Sequence, residues 1–201
     1  MPVRTPKDTA VDPVPPPHDT RTLHEGRFLA LRQRGRWEFV QRTNAFGAAV
    51  VVALTDADEI VLVEQYREPL QCRCIENPAG LAGDQPGEDD ILAAAGRELL
   101  EETGFQAARL ELLMHGPSAP GMADEMLSFV RASGLRRTGP GGGDGGEDIT
   151  VHVVPMTRAA AFLAERMAAG LHVDPRVYAA LFLARWQPDG RAVDPDRADF
   201  A

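Results

Sequence analysis

The chain has 201 residues, 44% of them apolar, and a formal net charge of −9 at pH 7. This size and composition predict one folded domain with tails, and no apolar run reaches the roughly 18 residues that a membrane-spanning helix needs. The acidic balance argues against a protein that binds nucleic acid in general.

The N-terminal residues 1–20 hold six prolines and few apolar side chains, which predicts a flexible tail. They also lack the apolar centre of a secretory signal. Cys72 and Cys74 share one face of a predicted strand, where their Cβ atoms are too far apart for a mutual disulfide. We therefore expect reduced cysteines and a cytoplasmic protein.

The folded domain is predicted over residues 21–188, with a loose C-terminal tail over 189–201. Its first element is a β-hairpin over residues 27–42. Residues 47–55 and 59–68 flank an Asp-Ala-Asp turn and predict a second hairpin. The first of these strands is apolar at nearly every position, which is typical of a strand buried on both faces.

A helix is predicted to end at Gly104, because glycine readily adopts the left-handed conformation that closes a helix. Either Asp89 or Asp90 suits its N-cap, where a short acidic side chain accepts from free backbone N–H groups. Apolar residues at helical spacing mark the side that faces the core: Leu92, Ala95 and Leu99.

The second half of the chain mixes strand and helix character. We predict strands at 110–116, 125–132 and 148–156, and helices at 157–170 and 174–186. Thr157 is the expected cap of the first of these helices. Because strands and helices follow one another without regular alternation, we expect an α/β sandwich in which helices cover both faces of a sheet.

Acidic residues crowd the end of the first predicted helix. Glu98, Glu101 and Glu102 occupy positions i, i+3 and i+4, so they are neighbours on one surface, and Arg97 lies four residues before Glu101. One interpretation is a solvated acidic face. The other is a site for a hard divalent cation such as Mg²⁺ or Mn²⁺, which prefers clustered carboxylate oxygens.

The segment from Gly83 to Phe105 resembles the signature box of the Nudix hydrolase family. The box departs from the family pattern at Asp89, where the family has Glu, and Glu88 is placed to substitute in part. The matching positions are Gly83, Asp89, Arg97, Glu98, Leu99, Glu101, Glu102, Gly104 and Phe105. The resemblance implies an α/β/α sandwich with a mixed central sheet, which the hairpin over 27–42 extends at its N-terminal side.

Four further segments resemble the branch that hydrolyses ADP-ribose and related nucleoside diphosphate sugars. They are VEQYREP with Arg67, ENPAG with Glu76 and Ala79, SAPGMADE with Pro120 and Glu125, and GEDITVHVVP with Glu147. The resemblance implies that Arg67 contacts phosphate and that Glu76, Pro120 and Glu125 help to bind substrate. The implied metal ligands are the backbone carbonyl of Ala79 and the carboxylates of Glu98, Glu102 and Glu147.

The activity implied by this branch is Mg²⁺-dependent cleavage of a pyrophosphate bond, with Mn²⁺ as a possible replacement. The products are a nucleoside monophosphate and a sugar phosphate. The expected partners are a small nucleotide sugar and a second copy of the chain, joined through the N-terminal strands, with no nucleic acid and no membrane. The alternatives are a GDP-mannose hydrolase and a non-catalytic, ligand-binding regulator.

The general base is left open. Relatives with an identified base carry a Glu two residues before the loop's metal ligand, where this chain has Gly145. The candidates are Asp144, Glu147, Asp148 and Glu101, or a metal-activated water that needs no dedicated base. We therefore take Glu101, Glu147 and Arg97 as the catalytic candidates.

Aromatic and glycine-rich segments add further expectations. Trp37 and Phe39 are suited either to stacking on a nucleobase or to core packing. The glycine-rich segment 139–146 is either a lid that carries Glu147 or a plain linker. The histidines show no metal-binding spacing and are taken as structural: His115, His152 and His172.

Overall fold

The computed structural model of the chain describes residues 19–84, 90–143, 146–187 and 189–193. Its α-helices are α1 (Ile91–Thr103), α2 (Ala159–Ala168) and α3 (Pro175–Leu183). Its strands are β1 (Thr20–Glu25), β2 (Leu29–Arg34), β3 (Trp37–Arg42), β4 (Gly47–Ala53), β5 (Glu59–Arg67), β6 (Cys72–Glu76), β7 (Ala79–Ala82), β8 (Phe105–Gln106), β9 (Arg109–Pro117), β10 (Met126–Ser133), β11 (Arg136–Arg137), β12 (Ile149–Pro155) and β13 (His172–Val173).

Several predictions fall on parts of the chain outside the described residues. They concern Glu88 and Asp89 of the box, Asp144 and Gly145 before the loop ligand, and most of the two predicted tails. The predicted domain boundaries therefore stay predictions.

The N-terminal sheet contains one strand more than the sequence predicted. The hairpin over 27–42 is confirmed, since β2 and β3 pair antiparallel, but β1 adds to the other edge of β2 in the order β1-β2-β3. All six residues of β1 are exposed, so no apolar alternation marked it as a strand. Side chains support the pairing, as where Arg34 Nε donates to Thr20 Oγ1 at 2.9 Å.

The core contains two four-stranded sheets, ordered β7-β4-β10-β9 and β12-β5-β6-β13. The predicted second hairpin is wrong, because β4 and β5 belong to different sheets, and the only strand-type pairing between the two segments among the described residues is an isolated bridge between Leu54 and Ile60. β4 instead pairs parallel with β10 and antiparallel with β7, so the sheet is mixed as expected.

Helices cover both sides of β4, which is buried along its whole length. Val50 and Val52 pack in one cluster with Leu163 of α2 and Val177 of α3. Ala49, Val51 and Ala53 face the other way and pack in a second cluster against Ala95 and Leu99 of α1. This arrangement confirms the α/β/α sandwich, and it fixes α1 on the opposite side of the sheet from α2 and α3.

Capping residues set the ends of the helices. Asp90 is the N-cap of α1 and accepts from the Leu92 N–H, and Gly104 closes the helix at φ 73°, as predicted. The prediction for Thr157 is wrong, because this residue lies in a 3₁₀ turn (Met156–Arg158) ahead of α2 and makes no side-chain cap. Asp174 caps α3 by accepting from the Arg176 N–H.

Two further sequence expectations concern a disulfide between the cysteines and a membrane-spanning helix. Cys72 and Cys74 are both free, with their Sγ atoms 4.0 Å apart, so the absence of a mutual disulfide is confirmed. Among the described residues, every helix is too short or too polar to cross a membrane.

Candidate active site

The carboxylates of α1 divide into an inward pair and an outward residue. Glu102 is only 3% exposed and the side chain of Glu98 is largely covered, one helical turn earlier. The side chain of Glu101 is 49% exposed. The solvated-face interpretation therefore fits Glu101 alone, while Glu98 and Glu102 point toward the sheet.

The start of β7 lies directly beside these two glutamates. The backbone N–H of Ala79 donates to Glu102 Oε2 at 3.0 Å. A Cβ atom on Gly80 would lie 1.9 Å from Cδ of Glu98, so only glycine leaves room for that side chain. The Pro-Ala-Gly sequence thus brings the backbone of Ala79 and the carboxylates of α1 into one small space.

Burial disfavours negative charge in this space. It raises the pKa of Glu102 to about 8, and the nearby carboxylates of Glu98 and Glu147 act in the same direction. Burial also raises the pKa of Glu98, against the opposing effect of Arg97. A bound cation would remove this penalty, because opposite charge favours the ionised form of a carboxylate.

Arg97 binds the acidic cluster together. Its Nη1 lies 2.8 Å from Glu98 Oε1 and 3.3 Å from Glu101 Oε2, which confirms the predicted pairing with Glu101. Its Nη2 donates to the carbonyl of Leu81 and lies 3.4 Å from Asp84 Oδ1. Arg97 therefore holds Glu98 and Glu101 in a fixed position relative to β7.

The donors around Ala79 fit a divalent cation chemically. Carboxylate and carbonyl oxygens are the ligands of hard cations, and the set Glu98, Glu102, Glu147 and Ala79 supplies only these. Within the described ranges, no group of three His, Cys, Asp or Glu side chains is already arranged to hold an ion.

Arg67 and Glu76 engage each other across the second sheet. Arg67 donates from Nε and Nη2 to the two oxygens of Glu76, each at 2.7 Å. Arg176, at the start of α3, approaches Glu76 Oε2 at 3.7 Å and is itself held by Asp174. No sequence pattern assigned a role to Arg176, because its contact with Glu76 joins residues 100 positions apart. These groups line a cavity of about 540 Å³ that also includes His172 and Cys74.

A second cavity brings together two residues predicted separately to bind substrate. Trp37 and Pro120 both line it, with Phe39 and Arg34, and its volume is about 800 Å³. Trp37 is 57% exposed, so the core-packing alternative is wrong for this residue. Glu125 lies elsewhere, in an ion pair with Arg42 beside a smaller cavity.

The segment before Glu147 is docked on α1 over its first half. Backbone N–H groups of Gly142 and Gly143 donate to the carbonyls of Glu102 and Glu101, at 2.8 and 3.0 Å. Asp148, one of the base candidates, is paired with Arg73 at 2.8 Å. A lid motion over 139–146 stays a prediction, and it would have to break these bonds or begin beyond Gly143.

Two of the histidines have structural partners, as expected. His115 Nδ1 lies 2.9 Å from Ser128 Oγ, and His152 Nε2 lies 3.0 Å from Glu64 Oε2. His152 also packs against Phe162 of α2. His172 lies in the cavity beside Arg67 described above.

Comparison with known proteins decides the family. The model of the NUDIX domain matches residues 45–172, which include the whole of α1 and of β7. The chain is a Nudix hydrolase. The resemblance of the box is thereby confirmed, and the departure at Asp89 does not remove the chain from the family.

Curated relatives of this Nudix hydrolase include proteins with two kinds of name. It is 36% identical over 157 residues to the methanol dehydrogenase activator of Bacillus methanolicus, covering 73% of this chain and 82% of that protein. It is 38% identical over 148 residues to an ADP-ribose pyrophosphatase of Mycobacterium tuberculosis, covering 70% of each.

A solved structure confirms the fold. The crystal structure of an ADP compounds hydrolase superimposes with a TM-score of 0.63 at 24% identity, covering 84% of this chain and 91% of that one. The mixed α/β sandwich of this Nudix hydrolase is thus a known arrangement.

Proposed function

We propose that this Nudix hydrolase cleaves the pyrophosphate bond of ADP-ribose or a related nucleoside diphosphate sugar in the presence of Mg²⁺. The products are a nucleoside monophosphate and a sugar phosphate. The observation that carries the proposal is the pair Glu98 and Glu102, buried beside the backbone of Ala79. Similarity to an ADP-ribose pyrophosphatase supports the substrate class.

The metal would be held by Glu98, Glu102, Glu147 and the carbonyl of Ala79. A bound divalent cation lowers the pKa of a coordinated water and withdraws charge from phosphoryl oxygens. Arg97 holds Glu98 and Glu101 in place. We assign it this positioning role rather than contact with substrate, because its guanidinium already meets several acceptors of the cluster.

Arg67 would contact the diphosphate. Its Nε and Nη2 are engaged by Glu76, which leaves Nη1 of the guanidinium to meet a phosphate oxygen. We therefore infer that Glu76 acts on substrate through Arg67. For the general base, Glu101 and Glu147 are both exposed enough to reach a water, and we keep these two as the candidates.

The cavity around Trp37 and Pro120 would hold the nucleobase. An exposed indole beside a half-buried phenyl ring offers flat apolar surface to a base, and Arg34 lies 5.0 Å above the ring of Phe39. Stacking of a base on an aromatic side chain is worth roughly 1–3 kcal/mol. GDP-mannose remains the alternative substrate, because stacking does not distinguish purines.

A homodimer through the N-terminal sheet is also proposed. The sheet exposes large apolar side chains that a monomer leaves in water: Leu23, Phe28, Leu29, Leu31 and Trp37. Exposed apolar clusters of this kind often mark protein interfaces. A monomer mass in light scattering at assay concentration would contradict the dimer.

The free cysteines agree with a reducing compartment, and we propose the cytoplasm.

The activator relative favours a second candidate, a regulator that binds a nucleotide without turning it over. The presence of Glu98, Glu101 and Glu102 favours catalysis. A hydrolysis screen that follows the nucleoside monophosphate product decides between the two, with ADP-ribose, GDP-mannose and other nucleotide sugars, with and without Mg²⁺ or Mn²⁺. We expect Mg²⁺-dependent release of AMP from ADP-ribose. Tight nucleotide binding without any turnover would favour the regulator.

A further inference from the structure

The C-terminus of α1 is an unfavourable place for its acidic residues. The last carbonyls of a helix lack intrahelical partners and carry the negative end of the helix dipole. Cationic side chains often offset this, yet the last turn of α1 contains no basic residue. It contains Glu101 and Glu102 instead, so the donors that stabilise this end must come from another part of the chain.

The glycine-rich segment supplies these donors. The N–H groups of Gly142 and Gly143 bind the carbonyls of Glu102 and Glu101, and Thr138 donates to the carbonyl of Gly104 at 2.8 Å. Two of the three carbonyls that receive these bonds belong to Glu101 and Glu102, whose side chains are part of the acidic cluster. The backbone of residues 138–143 thus continues the capping of α1 beyond Gly104.

Only glycine permits this approach. Gly141 has φ 70°, and a Cβ atom there would lie 2.4 Å from the carbonyl carbon of Thr103 and 2.8 Å from the carbonyl oxygen of Glu102. Gly143 has φ 81°, and a Cβ atom there would lie 2.7 Å from Cβ of Glu147 and 2.3 Å from its Oε2. Gly141 and Gly143 therefore reflect close packing against α1 and Glu147, which a flexible linker would not need.

We propose that Gly141–Gly143, here called the glycine clamp, is a positioning segment that holds Glu147 in register with Glu98 and Glu102. The N–H of Gly143 is bonded to the carbonyl of Glu101, so Gly143 is anchored to the helix that carries Glu98 and Glu102. The side chain of Glu147 packs into the space that the missing Cβ of Gly143 leaves. The inference rests on the proposed function, since it treats Glu147 as a metal ligand.

Two alanine variants of the same segment test the clamp. Gly141→Ala places a Cβ against the main chain of α1. Gly139→Ala is the matched control, because its φ is ordinary and its nearest neighbour would lie 3.9 Å away. We expect Gly141→Ala to weaken Mn²⁺ binding, measured by electron paramagnetic resonance, by roughly 10–100-fold, as when support of a metal ligand is lost. The Mg²⁺ concentration for half-maximal hydrolysis should rise in parallel, with both values unchanged in Gly139→Ala.

A second variant covers the case in which Gly141→Ala does not fold. In Gly143→Ala the nearest atoms to the added Cβ belong to the side chains of Glu147 and Ile149, so this variant displaces Glu147 directly, with backbone strain from φ 81° in addition. The same loss of Mn²⁺ affinity supports the clamp. A merely structural role would lower the melting temperature and leave both metal readouts unchanged, and that result in folded Gly141→Ala or Gly143→Ala would overturn the clamp. Failure of the proposed function looks different: the wild type would bind Mn²⁺ and hydrolyse no nucleotide sugar.

Discussion

The α1 site and the N-terminal sheet contrast in how they are held. At the α1 site, Glu98 and Glu102 are covered, each is bonded to a neighbour, and glycines at 80 and 141 fit against them. In the N-terminal sheet, β1 is exposed along its whole length and Trp37 faces solvent. Bond-breaking chemistry needs groups fixed in place, whereas base recognition tolerates a platform that is completed by a substrate or a second subunit.

The largest effect is expected from substitutions at the α1 site. Glu98→Gln or Glu102→Gln keeps the shape of the side chain but removes a metal-binding charge, so we expect the turnover number to fall by roughly 100-fold or more. Steady-state hydrolysis of ADP-ribose, with circular dichroism for folding, measures this. Glu165→Gln on α2 is the control, since that glutamate is exposed and its ion pair is with Arg158, far from α1 in the chain. A folded double variant with near-normal turnover would remove both residues from the metal site.

The charge of the α1 site gives a second prediction, for the metal-free protein. The folded-state pKa of Glu102 is about 8, above its ordinary value of 4.5. Between these values the folded state holds a proton that the unfolded state has released, so stability falls as pH rises from about 5 to 8. The slope from this group is at most roughly 1.4 kcal/mol per pH unit.

Thermal unfolding in a chelator, across this pH range, tests the prediction. Glu102→Gln should remove the Glu102 part of the slope, and Glu165→Gln should not. Mg²⁺ competes with the proton, so the stabilisation that it provides should grow as pH rises. Identical pH profiles for the wild type and Glu102→Gln would show that Glu102 is not the group that titrates.

The sequence predicted the α1 site better than the N-terminal sheet because local patterns specify α1. Asp90 and Gly104 mark its ends by chemistry that acts within a few residues. By contrast, β1 has no buried residue, so no alternation predicts it. The contact of Arg176 with Glu76 and the docking of Gly141 on Thr103 depend on tertiary proximity, which spacing along the chain does not contain.

Corrections to the sequence predictions have the same origin. Residues 47–55 and 59–68 look like a hairpin locally, yet a strand buried on both faces must satisfy its edges with two partners, and β4 takes β7 and β10. Thr157 is a good cap by type, but a 3₁₀ turn intervenes before α2 begins. In both cases a long-range or neighbouring structure overrode a valid local preference.

The exposed region is tested by Trp37→Ala. If the indole stacks on the base, its loss costs roughly 1–3 kcal/mol of binding, which raises KM about 5- to 150-fold with little change in the turnover number. Trp186→Ala is the matched control, because Trp186 is also exposed but stacks on Phe182 of α3. Fluorescence titration with AMP gives an independent affinity. Equal KM values in the two variants would leave the cavity around Trp37 without a role in binding.

The smallest expected effect concerns Arg176, which joins α3 to Glu76. Arg176→Met removes the charge that approaches Glu76 Oε2 at 3.7 Å, while the backbone N–H of residue 176 still caps α3 through Asp174. A partly exposed ion pair of this kind is worth at most about 1 kcal/mol, so we expect KM to rise no more than about fivefold, with an unchanged turnover number. Arg176→Lys should restore part of the loss, because a charge near Glu76 is what orients Arg67. Arg158→Met, at an exposed arginine before α2, is the control. A fall in the turnover number at constant KM would instead assign Arg176 to the catalytic step, together with the carboxylates of α1. The cavity around Arg67 and Glu76 would then serve the reaction rather than phosphate binding.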